Sequence, residues 1–192
     1  MRWRQTRGQQ LRSAKQDVDL LDKLLSVGGM SAARRSTRTF RQHRNDHAMP
    51  EDEQTVTELL PDDEIRLAEQ RQVIERYLAP ESKPNYQTPA GKLGLLRALL
   101  DQGVFSPSQT YELQCMGIIL GDTFVQEMQM EWVMVEDSYG RDPALRMPGT
   151  SIIIYPLTMI SKRIEQGESV VDVFELFNGV ADQIERMKQE GY

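Results

Sequence analysis

The hydrophobic period of this chain changes at Glu131, and that change restricts the fold to a helical part followed by a small sheet. Before it, "SPSQTYELQCMGIILGDTFVQEMQM" spaces Leu113, Met116, Leu120 and Phe124 three or four residues apart, which predicts a long core helix. After it, "EWVMVE", "PALRM" and "SIIIY" are short apolar or β-branched runs separated by turn residues. Runs of this kind predict three antiparallel strands.

Helix start and stop signals flank this central region. "LPDDEIRLAEQRQVIERYLAP" opens on Pro61 and closes at Pro80, and "TPAGKLGLLRALLDQG" has Thr88 as its cap and Gly103 as its stop. After the strands, "PLTMISKRIEQG" and "SVVDVFELFNGVADQIERMKQEG" predict two more helices, the last one capped by Ser169. We therefore predict an α+β fold of helices, a three-stranded antiparallel sheet and two C-terminal helices.

The charge of the chain is divided unevenly along its length. Residues 1–50 hold 11 Lys and Arg against 4 Asp and Glu, whereas the rest of the chain holds 12 against 25. Residues 28–54 have little apolar content and no period, which is typical of a flexible segment. We predict a basic, largely flexible extension over residues 1–54, with a short amphipathic helix near residues 11–25, and a single acidic α+β domain over residues 55–192.

Three interpretations of residues 1–48 stay open. They are a dispensable extension, with Met49 as the true initiator; an arm that binds a partner or an acidic surface; or an organelle-targeting peptide. The acidic residues at positions 17, 19 and 22 argue against the third interpretation.

Composition also bears on location and partners. The longest apolar run, "SIIIYPL", is far shorter than the ~20 residues that span a bilayer, so no membrane association is expected. A single cysteine, Cys115, cannot form an intrachain disulfide, which favours a reducing compartment and predicts a cytoplasmic protein. The acidic domain would repel phosphates, so nucleic acid is expected to bind only through the N-terminal arm.

The segment "EWVMVEDSYGRDPALRM" places four acidic residues around Gly140. Gly140 suits a tight hairpin turn, and we predict a turn here, with a functional acidic site as the alternative. Adjacent strand residues point to opposite faces, so Glu136 and Asp137 are not expected to share a pocket. Pro143 predicts that the second strand lies at an edge of the sheet or begins there.

Catalytic constellations are lacking in the sequence. Both histidines, His43 and His47, lie in the N-terminal extension, so Cys115 has no histidine in the acidic domain to activate it and is expected to be a buried thiol. We predict no catalytic residue, no metal and no cofactor. Gly117 and Gly121 are predicted to let the long helix approach the sheet closely.

Four motifs resemble a bacterial domain-of-unknown-function family, number 3806. They are "LGDTF", "EWVMVEDSYGRDPAL", "IIIYPLTMISKRIEQGE" and "VDVFELFNGVADQI", within residues 113–187. The resemblance implies a soluble bacterial domain without an established activity, and it supplies no catalytic residues. The first 48 residues have no counterpart in the pattern.

These observations together predict a non-enzymatic bacterial protein that binds another protein, a basic one by charge, with a toxin-neutralising immunity protein as one form of that function. The expected binding residues are charged or aromatic side chains of the hairpin and the helix after it: Asp137, Tyr139, Asp142, Arg163 and Glu165.

Two alternatives to this function remain. One is a small metal-dependent hydrolase that uses Glu136 or Asp137 with Asp142 and Arg163. The other is a structural homodimer formed through an exposed edge strand at "PALRM".

Overall fold

The α+β class expected from the sequence is confirmed. The computed structural model describes residues 54–138, 140–168 and 170–192, which form six α-helices, one 3₁₀ turn and a four-stranded antiparallel sheet. The helices are α1 (Pro61–Glu75), α2 (Lys83–Tyr86), α3 (Pro89–Asp101), α4 (Thr110–Met128), α5 (Leu157–Glu165) and α6 (Val173–Glu190). The strands are β1 (Thr55–Glu58), β2 (Glu131–Asp137), β3 (Gly140–Arg146) and β4 (Ile153–Ile154).

The sheet has one more strand than expected. Strand β1 precedes the helices and pairs with β2 in antiparallel register, with Val56 opposite Val135, so the sheet order is β1-β2-β3-β4. The predicted count of three strands is therefore wrong. "TVTE" is too short and too polar to indicate a strand by itself, and only its pairing with β2 makes it one.

Strand β3 also differs from its prediction. It lies between β2 and β4 rather than at an edge, and Pro143 falls in its interior, opposite Met134. The predicted edge strand at "PALRM" is therefore wrong, and β1 and β4 are the edges of this sheet. Because β4 pairs only with Leu145 and Arg146, the missing N–H of Pro143 does not interrupt that ladder.

The helix caps agree with the sequence at α3 and differ at α6. Thr88 caps α3 by accepting a hydrogen bond from the Gly91 backbone N–H at 3.0 Å, and Gly103 follows the helix with φ +59, both as expected. At α6, Asp172 is the cap, because its Oδ1 accepts hydrogen bonds from the backbone N–H groups of Phe174 and Glu175. The predicted cap at Ser169 is wrong, and Ser169 lies outside the described residues.

Helix α4 forms the centre of the core, as its apolar spacing predicts. Its four predicted core residues have no exposed surface: Leu113, Met116, Leu120 and Phe124. Phe124 packs against Phe177 of α6, with ring centroids 4.6 Å apart. The two C-terminal helices are present with shifted bounds, and both contact α4.

The two glycines of α4 make close approaches, in different places. A Cβ on Gly121 would lie 2.4 Å from Cζ2 of Trp132 in β2, which confirms the predicted contact with the sheet. A Cβ on Gly117 would lie 2.5 Å from the Cα atom of Leu157. Gly117 therefore fits the helix to the start of α5 rather than to the sheet.

The predictions for residues 1–53, including the N-terminal helix and the pair His43 and His47, lie outside the described residues. The boundary after residue 54 stays a prediction. In the described part of the chain, every helix is too short or too polar to cross a bilayer. The cytoplasmic compartment stays a prediction.

Candidate functional site

The register of the β2–β3 hairpin decides which of its acidic side chains lie together. Residues directly opposite each other in an antiparallel pair share a face, and faces alternate along each strand. Val135 lies opposite Asp142, and Asp137 lies two residues beyond Val135, so Asp137 and Asp142 share a face. Glu136 is on the other face, as expected. Glu136 and Asp142 therefore cannot act together as the pair of carboxylates that the hydrolase alternative requires.

We call the face that carries Asp137 and Asp142 the hairpin face. Its centre is a separate apolar cluster. The buried members of the cluster are Val133, Val135 and Ala144, and the partly buried members are Val56, Ile153 and Tyr155. Asp142 is exposed and Asp137 is partly exposed, so the hairpin end of this face combines an apolar centre with an acidic margin.

Tyr155 reports on the surroundings of both carboxylates. The side chain of Gln54 donates a hydrogen bond to the Tyr155 hydroxyl at 2.8 Å. The pKa of Tyr155 is raised, mainly by burial, and the charges of Asp137 and Asp142 raise it further while the bond from Gln54 lowers it. Both carboxylates therefore lie close enough to Tyr155 to disfavour its phenolate form.

Arg141, the cation nearest the turn, points to the opposite face. Its two terminal nitrogens donate to the two carboxylate oxygens of Asp63 at 2.6 and 2.7 Å, at the start of α1. Asp63 also accepts a hydrogen bond from the backbone N–H of Leu60 at 3.0 Å. The hydrogen bond from Arg141 is the main reason why the pKa of Asp63 is lowered to about 2. Arg141 is thus bound to a helix carboxylate and does not neutralise Asp137 or Asp142.

Arg146, the other cation of β3, is also paired. Its Nη2 atom donates to Glu58 at 2.8 Å and to Glu131 at 3.1 Å, across three strands. These residues lie on the hairpin face, at the end away from the turn. The acidic end of the face is the end that contains Asp137 and Asp142.

The other predicted binding residues lie elsewhere. Arg163 donates to the backbone carbonyl of Met159 at 2.8 Å, and its Nε atom is 3.7 Å from Glu168. Glu165 accepts a hydrogen bond from the hydroxyl of Thr110 at 2.9 Å. The contact with Thr110 places Glu165 where α5 meets α4, whereas these contacts of Arg163 are with α5 itself and with the segment after it. None of these contacts joins the two residues to Asp137 or Asp142. Tyr139 lies outside the described residues.

Sequence reasoning missed a second charged cluster, between α1, α4 and β2. The guanidinium of Arg71 donates to both oxygens of Asp122 at 2.6 and 2.7 Å, and the indole N–H of Trp132 donates to the same carboxylate at 3.0 Å. The available signal was the charge of Asp122 inside the apolar run "GIILGDTF". A charge at such a position needs a partner.

Lys92 extends the polar region into α3. It is only 7% exposed, and its Nζ atom donates to the backbone carbonyl of Tyr86 at 3.2 Å and to the side chain of Gln126 at 3.0 Å. Burial lowers the pKa of Lys92, and the charge of Asp122 opposes that effect. The contacts at Asp122 and at Lys92 together join α1, α2, α3 and α4 with strand β2.

No three His, Cys, Asp or Glu side chains in the described part of the chain converge in a way that could hold an ion. Cys115 is fully buried, as expected, and burial is the main cause that raises its pKa to about 11.

Comparison with known proteins supports the expected resemblance. The family model described as "Domain of unknown function (DUF3806)" matches residues 92–177, which confirms the resemblance for the C-terminal part of the chain. A protein from Bacteroides thetaiotaomicron, whose crystal structure was determined at 1.50 Å resolution, is similar with a TM-score of 0.54 and 17% identity over 74% of this chain. The present chain spans 52% of that protein, and at this identity the likeness concerns the fold alone. No curated protein matches the sequence.

Proposed function

We propose that the described domain binds another protein of basic surface through the acidic end of the hairpin face. The observation that carries this proposal is the division of charge across the hairpin. Asp137 and Asp142 lie on one face beside Tyr155, whereas Arg141 lies on the other face in a bidentate pair with Asp63.

The wider charge distribution supports the same partner chemistry. From residue 51 to the end, the chain has 12 basic residues against 25 acidic ones. Half of those cations form ion pairs within the domain: Arg66, Arg71, Arg141, Arg146, Arg163 and Lys188. A surface with an unbalanced negative charge attracts a basic partner and accelerates its association in a salt-dependent way.

The apolar part of the face supplies the second requirement of an interface. Tyr155 and Val56 are partly exposed and lie towards the acidic end, whereas Ile153, also partly exposed, lies opposite Arg146 towards the other end. Protein interfaces commonly combine an apolar or aromatic centre with a charged rim, and tyrosine is frequent among their energetically important residues. Tyr155, with Asp137 and Asp142, is therefore the proposed contact group.

A basic toxin is one partner with this chemistry, so a toxin-neutralising function is a particular form of the proposal. It rests on the acidity of the domain and on analogy with other small acidic domains. Identification of the partner in the native host will distinguish a toxin-neutralising function from other protein-binding functions.

The test is affinity capture from a lysate of the native host at low and high salt, with matched variants of the full chain. Asp137→Asn/Asp142→Asn removes two charges, and the new side-chain amide at position 137 can still accept the hydrogen bond that the Gly140 N–H donates to Asp137 Oδ1. Glu69→Gln/Glu127→Gln removes two exposed charges from the helices as the control. The partner, once purified, should bind the hairpin variant roughly fivefold or more weakly than the wild type at low salt and bind the control normally.

Two results would count against the proposal. The first is capture of no protein at low salt. The second is equal affinity of the partner for the hairpin variant and the wild type.

A further inference from the structure

Strand β1 is an open edge of the sheet. It pairs with β2 on one side, and no strand among the described residues pairs with its other side. Antiparallel pairing uses the backbone groups of alternate residues, so two of the four residues of β1 direct their N–H and C=O groups away from β2. Three of the four residues are exposed and Val56 is partly exposed, so the outer side of the strand is accessible.

Strand β1 lacks the features that usually protect an edge. Proteins block such edges with proline, lysine, a bulge or a very short strand. Strand β4, at the opposite edge, has two residues, and Pro156, which has no backbone N–H, follows close behind it. Strand β1, "TVTE", contains neither proline nor lysine, and its pairing with β2 runs without a bulge over all four residues. It is therefore the edge of this sheet that is suited to receive a further strand.

The sequence around β1 is strongly acidic. Residues 51–64, "EDEQTVTELLPDDE", contain seven Asp and Glu and no Lys or Arg. Only Glu58 and Asp63 among the described acids of this stretch form ion pairs, and Asp62 and Glu64 in the first turn of α1 are exposed. A second copy of this chain would bring the same acids together at the new edge, whereas a basic strand would bring opposite charges to them.

We infer that β1 binds an extended, basic segment of the partner protein as a fifth strand of the sheet. The backbone of the segment bonds to the outward N–H and C=O groups of β1, and its lysine or arginine side chains lie near the acids that flank the strand. The basic character of the partner rests on the proposed function. The inference adds the manner in which that partner binds.

The position of β1 allows one partner to reach both surfaces. Thr55 lies opposite Glu136, the residue before Asp137, so the start of β1 adjoins the acidic end of the hairpin face. Val56 lies opposite Val135 and packs on the apolar cluster of that face. Every second side chain of an added strand would therefore lie on the hairpin face, beside Val56.

The test uses the capped peptide Arg-Thr-Val-Thr-Val-Arg as the probe, titrated into the ¹⁵N-labelled full chain and followed by NMR. The decisive readout is hydrogen exchange of the β1 amides. In the free protein, one alternate pair (Thr55 and Thr57, or Val56 and Glu58) should exchange fast because its N–H groups point outward. Saturating peptide should slow the exchange of that pair by about fivefold or more, which attraction between side-chain charges alone would not do.

Two control peptides separate backbone pairing from charge. The same peptide N-methylated at its four central residues keeps every side chain and both charges but loses the N–H groups that pair with β1. Glu-Thr-Val-Thr-Val-Glu keeps the backbone and reverses the charge. Both should bind at least about fivefold more weakly than the probe.

Matched variants of the protein locate the site. Thr57→Lys places a lysine on the edge strand at an exposed position, so the protein should stay folded and bind the probe at least about fivefold more weakly. Gln102→Lys adds the same charge at an exposed position at the end of α3, and this variant should bind like the wild type.

Equal affinities for the probe and its N-methylated form would overturn the inference, and so would β1 amides that stay unprotected at saturation. Protection of the same amides by self-association of the full chain, without peptide, would identify a second copy as the occupant and would also overturn it.

The two proposals can fail separately. If the probe protects β1 but Asp137→Asn/Asp142→Asn leaves partner capture unchanged, the hairpin proposal fails and strand addition remains. If partner capture weakens as expected but β1 stays unprotected, strand addition alone fails.

Discussion

Arg141 and Asp63 form a bidentate ion pair, with nitrogen–oxygen distances of 2.6 and 2.7 Å, between strand β3 and the first turn of α1. Two parallel hydrogen bonds fix the orientation of the guanidinium as well as its position. The pair therefore does two things. It fastens the hairpin to a helix that is distant in the sequence, and it keeps Arg141 away from the face that carries Asp137 and Asp142.

The ion pair between Asp63 and Arg141 predicts a specific dependence of stability on pH. The pKa of Asp63 is lowered from 3.8 to about 2, first because of the hydrogen bond from Arg141. A lowered pKa in the folded state gives stabilisation that is complete above the unfolded value and is lost as the pH falls through the folded value. Asp63→Asn should therefore lower the Tm at neutral pH, by roughly 4–8 °C.

The difference in Tm between wild type and Asp63→Asn should shrink as the pH falls from about 4 to about 2. Thermal melts followed by circular dichroism across this range would measure it. Asp62→Asn, at the exposed neighbouring position, is the control. A difference in Tm that did not change with pH would show that the ion pair with Arg141 is not its source.

The ion pair between Asp122 and Arg71 predicts a loss of stability in one variant that a second substitution reverses. Asp122→Asn leaves the cation of Arg71 half-buried without its carboxylate, and should lower the free energy of unfolding by about 2–3 kcal/mol. Asp122→Asn/Arg71→Met removes both charges and should recover most of that loss. Urea denaturation of the three proteins measures the difference. If the double variant were less stable than Asp122→Asn, the cost would not come from an unpaired charge.

Local signals allowed much of the helical part to be predicted from the sequence. Thr88 marks the start of α3 and Gly103 marks its end. Both could be predicted because a cap and a positive-φ stop act within a few residues of the chain. The cap of α6 was misplaced because Ser169 and Asp172 both have side chains suited to the role. Packing decides between them, since Val173, next to Asp172, is fully buried.

Contacts between distant residues could not be predicted in the same way. Alternation along β2 correctly separated Glu136 from Asp137, because it is a property of one strand. The partner of Arg141 could not be named, because Asp63 is one of many acids in the sequence and the pairing depends on where α1 lies. Strand β1 was missed for the same reason, since its strand character comes from β2.

The close approach at Gly117 predicts opposite effects for two glycine substitutions. A Cβ at Gly117 would meet backbone atoms of Pro156 and Leu157 at 2.5 Å, and backbone cannot move aside as a flexible side chain can. Gly117→Ala should therefore lower the free energy of unfolding by about 1–3 kcal/mol. Gly94, inside α3, has no atom within 4 Å of its Cβ position, so Gly94→Ala should raise it by about 0.5–1 kcal/mol.

Denaturation of both glycine variants beside the wild type would measure these changes. A gain in stability from Gly117→Ala would mean that α4 and α5 can separate at little cost.

Burial of Cys115 predicts a thiol that reacts only when the protein opens. The side chain has no exposed surface, and desolvation is the main reason why its pKa rises to about 11. Because the thiolate is the reactive form, modification by an aromatic disulfide reagent at neutral pH should be slow and should speed up as urea approaches the unfolding midpoint. The free cysteine amino acid serves as the control. Rapid reaction of the folded protein would contradict the burial of this helix.

The arrangement of the hairpin face can be tested without a partner, through the pKa of Tyr155. The charges of Asp137 and Asp142 raise this pKa in addition to the larger effect of burial. Replacing both with asparagine removes two negative charges that oppose phenolate formation, so the pKa of Tyr155 should fall towards its ordinary value without reaching it. Glu69→Gln/Glu127→Gln should leave it unchanged, because neither residue contributes to the shift.

Ring ¹³C NMR of labelled tyrosine, assigned with Tyr155→Phe, separates this group from the other five tyrosines. An unchanged pKa in the asparagine variant would mean that the two carboxylates do not reach Tyr155, and the proposed contact group would lose its geometric basis.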